Sequence, residues 1–142
     1  METGELVNKI KTVFDSIAHK YGACELQTVY YGYKEVSFGY KVDTFGIDVE
    51  IDLSSFAIFV LIFKFKEDKI PVDYEDEFGN LQRIHIQEAL NRIGLDISRE
   101  RNELRRLSGN SNNCTAIVNI LSKLLDDNWN ILLSKTDIIF HK

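Results

Sequence analysis

Asp48, Glu50 and Asp52 alternate with apolar residues in the segment FGIDVEID (residues 45–52), a spacing that sets three carboxylates on one face of a β-strand. Such a row is half of a restriction-type nuclease centre. There the acids hold Mg²⁺, and a lysine from an acid-x-Lys pair on the next strand stabilises charge at the phosphate. The lysines in position here are Lys64 and Lys66, but the residues two before them are Ile62 and Lys64. The acid is missing from both pairs, so the row reads as the hydrated face of a sheet. Asp73, Glu75 and Glu77 fall at the first, third and fifth positions of a calcium-binding EF-hand loop. That loop also needs a glycine at its sixth position and a bidentate acid at its twelfth, where this chain has Phe78 and Ile84.

The remaining reactive residues are dispersed. His19, His85 and His141 have no metal-ligand spacing and read as solvated or capping histidines. Cys24 and Cys114 belong to no CxxC or Cys-His pattern; beside small and apolar neighbours they read as buried thiols. No glycine-rich phosphate loop or GxSxG elbow occurs, so no catalytic residue, metal or cofactor is expected. Arg92, Arg99, Arg101, Arg105 and Arg106 cluster, but Glu88, Asp96, Glu100 and Glu103 are interleaved at pairing distances, as on a salt-bridged solvated face. The feature that stands out is aromatic: Tyr30, Tyr31, Tyr33, Phe38 and Tyr40 in one short stretch. Aromatics pack across strands inside a sheet, and an outward subset makes a binding surface, where tyrosine is favoured as a rigid amphipathic group.

The elements that position these residues follow from periodicity. Leu6, Val7, Ile10, Val13, Phe14, Ile17, Ala18 and Tyr21 make an apolar stripe on a helical period, over residues 4–21 with Gly22 as its stop. The period then changes to two. Residues 27–31 are β-prone; Val36, Phe38, Tyr40 and Val42 alternate with polar or small residues, as do Ile47, Val49, Ile51 and Leu53. Turns fall at Gly32, at Asp43-Thr44-Phe45-Gly46 and at Ser54-Ser55. Residues 56–63 are apolar on both faces, which predicts an interior strand over 56–66 with its second face covered for part of its length. Residues 67–80 read as an acidic loop with a short strand at its start. Helices follow: one through Ile86, Ala89, Leu90 and Ile93 to Gly94, one through Ile97, Leu104 and Leu107 to Gly109, and a long one from Asn113 through Trp129 to Ser134. Ile138, Ile139 and Phe140 form an apolar tail. Strands segregated from helices predict an α+β class: an N-terminal helix, an antiparallel meander of four or five strands, and three C-terminal helices packed on the sheet, all in a single domain over residues 1–142.

The chain has 142 residues, 44% hydrophobic and 27% charged, with a net charge of −5. That length buries a sufficient core without a disulfide or metal. The negative field repels polyphosphate, which disfavours nucleic acid as a partner. The start, METGELVNKIKTVF, has no signal-peptide pattern, and residues 56–63 are far short of the ~20 needed for a membrane span. A cytoplasmic location without membrane insertion is therefore expected.

Three segments carry a resemblance: the FxxIxxxYG helix end (Phe14, Ile17, Tyr21, Gly22), the FGIDVEID strand and the closing LSKLLDDNWNILL helix. In these the chain resembles small acidic bacterial proteins, many of them uncharacterised and several of them immunity proteins encoded beside toxins. The resemblance implies a non-catalytic binder of a basic toxin. For such a partner the sequence offers Tyr31, Tyr33 and the loop acids Asp73, Glu75, Asp76 and Glu77. Two alternatives stay open. One is a secretion-chaperone-like homodimer with a hydrophobic groove. The other is an enzyme or small-ligand carrier with a pocket between sheet and helices.

Overall fold

The computed structural model describes residues 3–43, 45–65 and 70–141. Thr44 of the first turn, Lys66, and residues 67–69 at the start of the acidic loop, with the short strand expected there, lie outside the described residues.

The helix α1 (Thr3–Lys20) opens the chain, followed by β1 (Cys24–Glu25), β2 (Val29–Tyr31), β3 (Glu35–Val42), β4 (Phe45–Asp52), β5 (Ala57–Lys64) and β6 (Arg83–His85). Then come α2 (Ile86–Arg92), α3 (Ser98–Leu107), a 3₁₀ turn at Ser111–Asn113, α4 (Cys114–Ser134) and α5 (Thr136–Ile139). The class is α+β, as the periodicity predicts. All strand pairs are antiparallel, in the order β1-β3-β4-β5-β6, with β2 also paired to β3. β3, β4 and β5 form a meander of eight-residue strands. Sequence reading missed β1 and β6, because two or three residues are too few to display a period.

Register sorts the sheet into two faces. Val36, Phe38 and Tyr40 of β3 share one face with Ile47, Val49 and Ile51 of β4, and with Ile58, Val60 and Ile62 of β5. All nine are buried, and the helices pack against them with Phe14, Leu121, Leu125 and Trp129. Burying each such side chain contributes about 1.5–3 kcal/mol, and this face is the main core. α1 is fixed to it by polar contacts as well. The Tyr40 hydroxyl donates to Asp15 Oδ1 at 2.5 Å, and Lys11 bridges Asp15 and Glu25. Burial, and then the Asp15 carboxylate, hold the Tyr40 phenol far above its ordinary pKa. α1 ends where Gly22 takes φ +74°, and the Ala23 N–H returns to Ala18 O at 2.9 Å, a left-handed stop that glycine adopts without strain.

The long C-terminal helix runs unbroken through Asp126-Asp127-Asn128, because its stripe of Ile117, Leu121, Leu125, Trp129 and Leu132 stays in phase. It meets the end of α1: Tyr21 stacks on Trp129 at 4.8 Å and donates to Asp126 Oδ1 at 2.8 Å, and Lys20 pairs with the same carboxylate. The apolar tail is split, with Ile139 and Phe140 buried and Ile138 half-exposed. No helix among the described residues is long and apolar enough to cross a membrane.

Two expectations are corrected. Cys24 is exposed, because β1 is a two-residue edge strand whose residues are both exposed, and Cys114 is half-buried at the start of α4. Asp48 is not on a hydrated face. It is 3% exposed, for the reason described next.

Candidate functional site

The second face of the sheet is built from the residues between the core positions. Reading across the register, one row is Ser37, Glu50, Phe59; the next is Gly39, Asp48, Leu61, His85; the third is Lys41, Gly46, Phe63, Arg83. Glu35 and Asp52 stand opposite each other in the row beyond Ser37, with Tyr31 of β2 beside them.

One half of this face is closed. The loop 70–82 folds back over it: Pro71 is buried, and its carbonyl accepts from Arg83 Nη1 at 3.0 Å. The Tyr74 ring covers the Arg83 guanidinium at 5.6 Å. A Glu75–Leu81 bridge and the Gln82 N–H to Tyr74 O bond, 2.8 Å, close the loop on itself. On the same half Leu61 and Phe63 are at 0% and 1% exposure, so the partial cover expected for β5 is present; the Phe65 ring packs on Phe63 at 4.9 Å, and the loop lies over the neighbouring Arg83 and His85. Phe63 crosses Gly46 on the neighbouring strand so closely that a Cβ there would overlap its ring.

The closed half holds an ionic centre. Arg83 Nη2 donates to Glu50 Oε1 at 3.0 Å and lies 3.6 Å from Asp48 Oδ2, and the Ser37 hydroxyl donates to Asp48 Oδ1 at 2.6 Å. Arg83 is only 7% exposed, and its Nε has no partner among the described residues. Burial pushes the Asp48 carboxyl up to about 6; the Ser37 hydrogen bond and Arg83 oppose this, and the Glu50 charge adds to it. At the rim, His85 Nε2 meets the Tyr74 hydroxyl at 3.0 Å, with the Phe59 ring edge-on at 5.5 Å. This histidine is wedged between the Phe59 and Tyr74 rings, where spacing alone suggests a solvated or capping one, and burial lowers its pKa. His19 and His141 are exposed. Perturbed acids and histidines mark many catalytic centres, but the Asp48 oxygens are enclosed and already bonded within the fold. Among the described residues, no group of three or more His, Cys, Asp or Glu is placed to hold a metal ion.

The other half is open. Tyr31, Glu35, Ser37, Glu50, Asp52 and Phe59 surround a depression of about 210 Å³. Tyr31 is 58% exposed and Phe59 39%. The Ser54 and Ser55 hydroxyls and amides donate to Asp52 and hold its carboxyl below the ordinary range, so it is charged at neutral pH. Glu35 and Asp52 are like charges directly opposite on adjacent strands, an arrangement that costs stability unless a cation intervenes.

The residues expected to bind a partner are thus divided. Tyr31 lines the open depression. Tyr33, 99% exposed, sits at the tip of the β2–β3 hairpin, and Tyr30 is exposed beside it, whereas Phe38 and Tyr40 are core. Asp73, Glu75 and Glu77 are exposed on the covering loop. Asp76 is half-buried and organises the turn, accepting from the Phe78 and Asn80 amides at 2.9 and 2.8 Å. Sequence reasoning missed Glu35 and Phe59 as surface partners of Tyr31; the polar positions between the core residues of β3 carried that signal. No protein-family model matches the chain, and no curated protein or solved structure is significantly similar to it.

Proposed function

We propose that the chain is a non-catalytic protein-binding domain for a basic partner, in the manner of an immunity protein that neutralises a bacterial toxin. The observation that carries this reading is the open half of the second sheet face. There Glu35 and Asp52 face each other with no ion-pair partner among the described residues, flanked by the exposed rings of Tyr31 and Phe59. A lysine or arginine placed in the depression relieves the like-charge pair and packs on the rings, a cation–π contact that strengthens as water is excluded. The net charge of −5 steers such a partner toward the domain and acts mainly on the association rate. The centre of the interface is the β2–β3–β4 face; the loop acids Asp73, Glu75 and Glu77 contribute at its rim.

Co-expression with the basic protein encoded beside its gene, followed by affinity capture, tests the reading. An equimolar complex is expected. Tyr31→Ala should weaken it by about 2 kcal/mol, near 30-fold in Kd, if the ring is an anchoring contact. Glu35→Lys should slow association. Recovery of the chain alone, or a complex indifferent to both substitutions, would overturn it.

A further inference from the structure

A second concavity lies around the corner from the acidic depression. β6 pairs with Leu61–Phe63 before the chain turns into α2, so among the described residues the outer edge of β5 at Ala57–Val60 has no strand beside it. α3 stands off from this edge and leaves a cleft of about 540 Å³, a size typical of small-molecule sites. Its floor is apolar: Phe56, Ile58 and Ile117, all less than 10% exposed. Phe56 holds φ +49°, a left-handed conformation rare for a bulky residue, with its carbonyl fixed by the Gly109 N–H at 3.2 Å. Strain of this kind persists only where the surroundings enforce it, and it gathers at ligand sites.

The wall contributed by α3 is positive. Arg101 and Arg105, four residues apart, lie on one helix face toward the cleft, and like charges at that spacing repel. Of the five arginines clustered in the sequence, Arg106 is spent on Glu103 at 2.7 Å, and Arg92 on the carbonyls of Ile139 and His141. Glu88 is shared between Arg92 at 3.7 Å and Arg101 at 3.4 Å. Among the described residues the Arg105 guanidinium has no ion-pair partner. The cleft thus combines an apolar floor, an aromatic edge in Phe59, a Glu88 carboxylate already held by Arg92 and Arg101, and at its mouth the Arg105 guanidinium without an ion-pair partner among the described residues.

We propose that this cleft binds a small organic carboxylate with an apolar body. The body lies on Phe56 and Ile58, and the carboxylate meets Arg105, with Arg101 beside it, in charge-assisted hydrogen bonds. The cleft borders the acidic depression at Phe59, which lines both, but it uses none of that depression's carboxylates and does not depend on the partner proposed there.

The test is titration of the full chain with 3-phenylpropionate, followed by calorimetry. Its uncharged analogue 3-phenylpropanol and the variant Arg105→Gln serve as comparisons. Arg105 is exposed, so the variant keeps the fold; an unchanged urea midpoint checks this. The acid is expected to bind saturably. The alcohol and the variant are each expected to lose about tenfold in affinity, the effect of one charged hydrogen bond. Absence of saturable binding by the acid, equal binding of acid and alcohol, or wild-type affinity in Arg105→Gln would each overturn the proposal.

Discussion

Asp48→Asn isolates the cost of burying a carboxylate under the loop. The wild-type carboxyl titrates at about 6 in the fold against 3.8 when free. Between those values the folded chain holds a proton that the unfolded chain has released. Stability from this group is therefore highest below pH 4 and is lost as pH rises through 6. The gap, at 1.36 kcal/mol per pH unit, amounts to about 3 kcal/mol, of which about 2 kcal/mol falls between pH 4 and 7. Asparagine has the same shape, still accepts from the Ser37 hydroxyl, and does not titrate. The attraction to Arg83 is already contained in the wild-type titration; only the difference between the amide and the protonated acid remains, and it does not vary with pH. Urea unfolding followed by Trp129, which is 3% exposed and reports on the core, gives both stabilities. The variant should gain about 2 kcal/mol relative to wild type from pH 4 to 7, a midpoint shift of about 1 M in urea. A difference constant to within about 0.5 kcal/mol would show that Asp48 titrates as an ordinary carboxylate, and the buried ionic centre would be wrong.

Two further outcomes test the packing. Gly46→Ala places a methyl group into the Phe63 ring, which is itself held by Phe65 at 4.9 Å. Overpacking of this kind costs about 1–3 kcal/mol and should lower Tm by about 5 °C; an unchanged Tm would mean that the strands can part at this point. In thiol labelling of the folded chain, Cys24 should react first and Cys114 slowly, since Cys24 is exposed while burial raises the Cys114 pKa. Cys24→Ser should remove the fast phase, and persistence of that phase would reverse the assignment.

The long elements were legible because each has one wet and one dry side. The stripes of α1 and α4 and the alternation in β3 and β4 follow directly from that asymmetry. The uninterrupted apolar run of residues 56–63 also reported truly, since Leu61 and Phe63 are covered while Phe59 is half-open. What covers them was not legible. The loop 70–82 is tied down by Arg83, which bonds the Pro71 carbonyl, and by the Tyr74–His85 contact, and neither tie leaves a period in the sequence. For the same reason Asp48 looked equivalent to Glu50 and Asp52. Alternation sets a residue's face; whether that face is wet depends on a segment more than twenty residues away. Cys24 misled in the opposite direction, because small and apolar neighbours suggest burial where a two-residue edge strand provides none.

The docking of α1 on α4 bears on how the chain is made. Lys20 and Tyr21 find their partner in Asp126, 106 and 105 positions later, whereas β3, β4 and β5 pair with neighbours as soon as each turn is complete. On the ribosome, at about 5–20 residues per second, the end of the first helix that meets α4 waits roughly 5–20 s for its partner. The meander can form in that interval and shelter the apolar stripe of α1 on its inner face. The closure of α1 against α4 has to wait for α4, and slow synthesis of that segment prolongs the exposure of the surface that Tyr21 and Trp129 share.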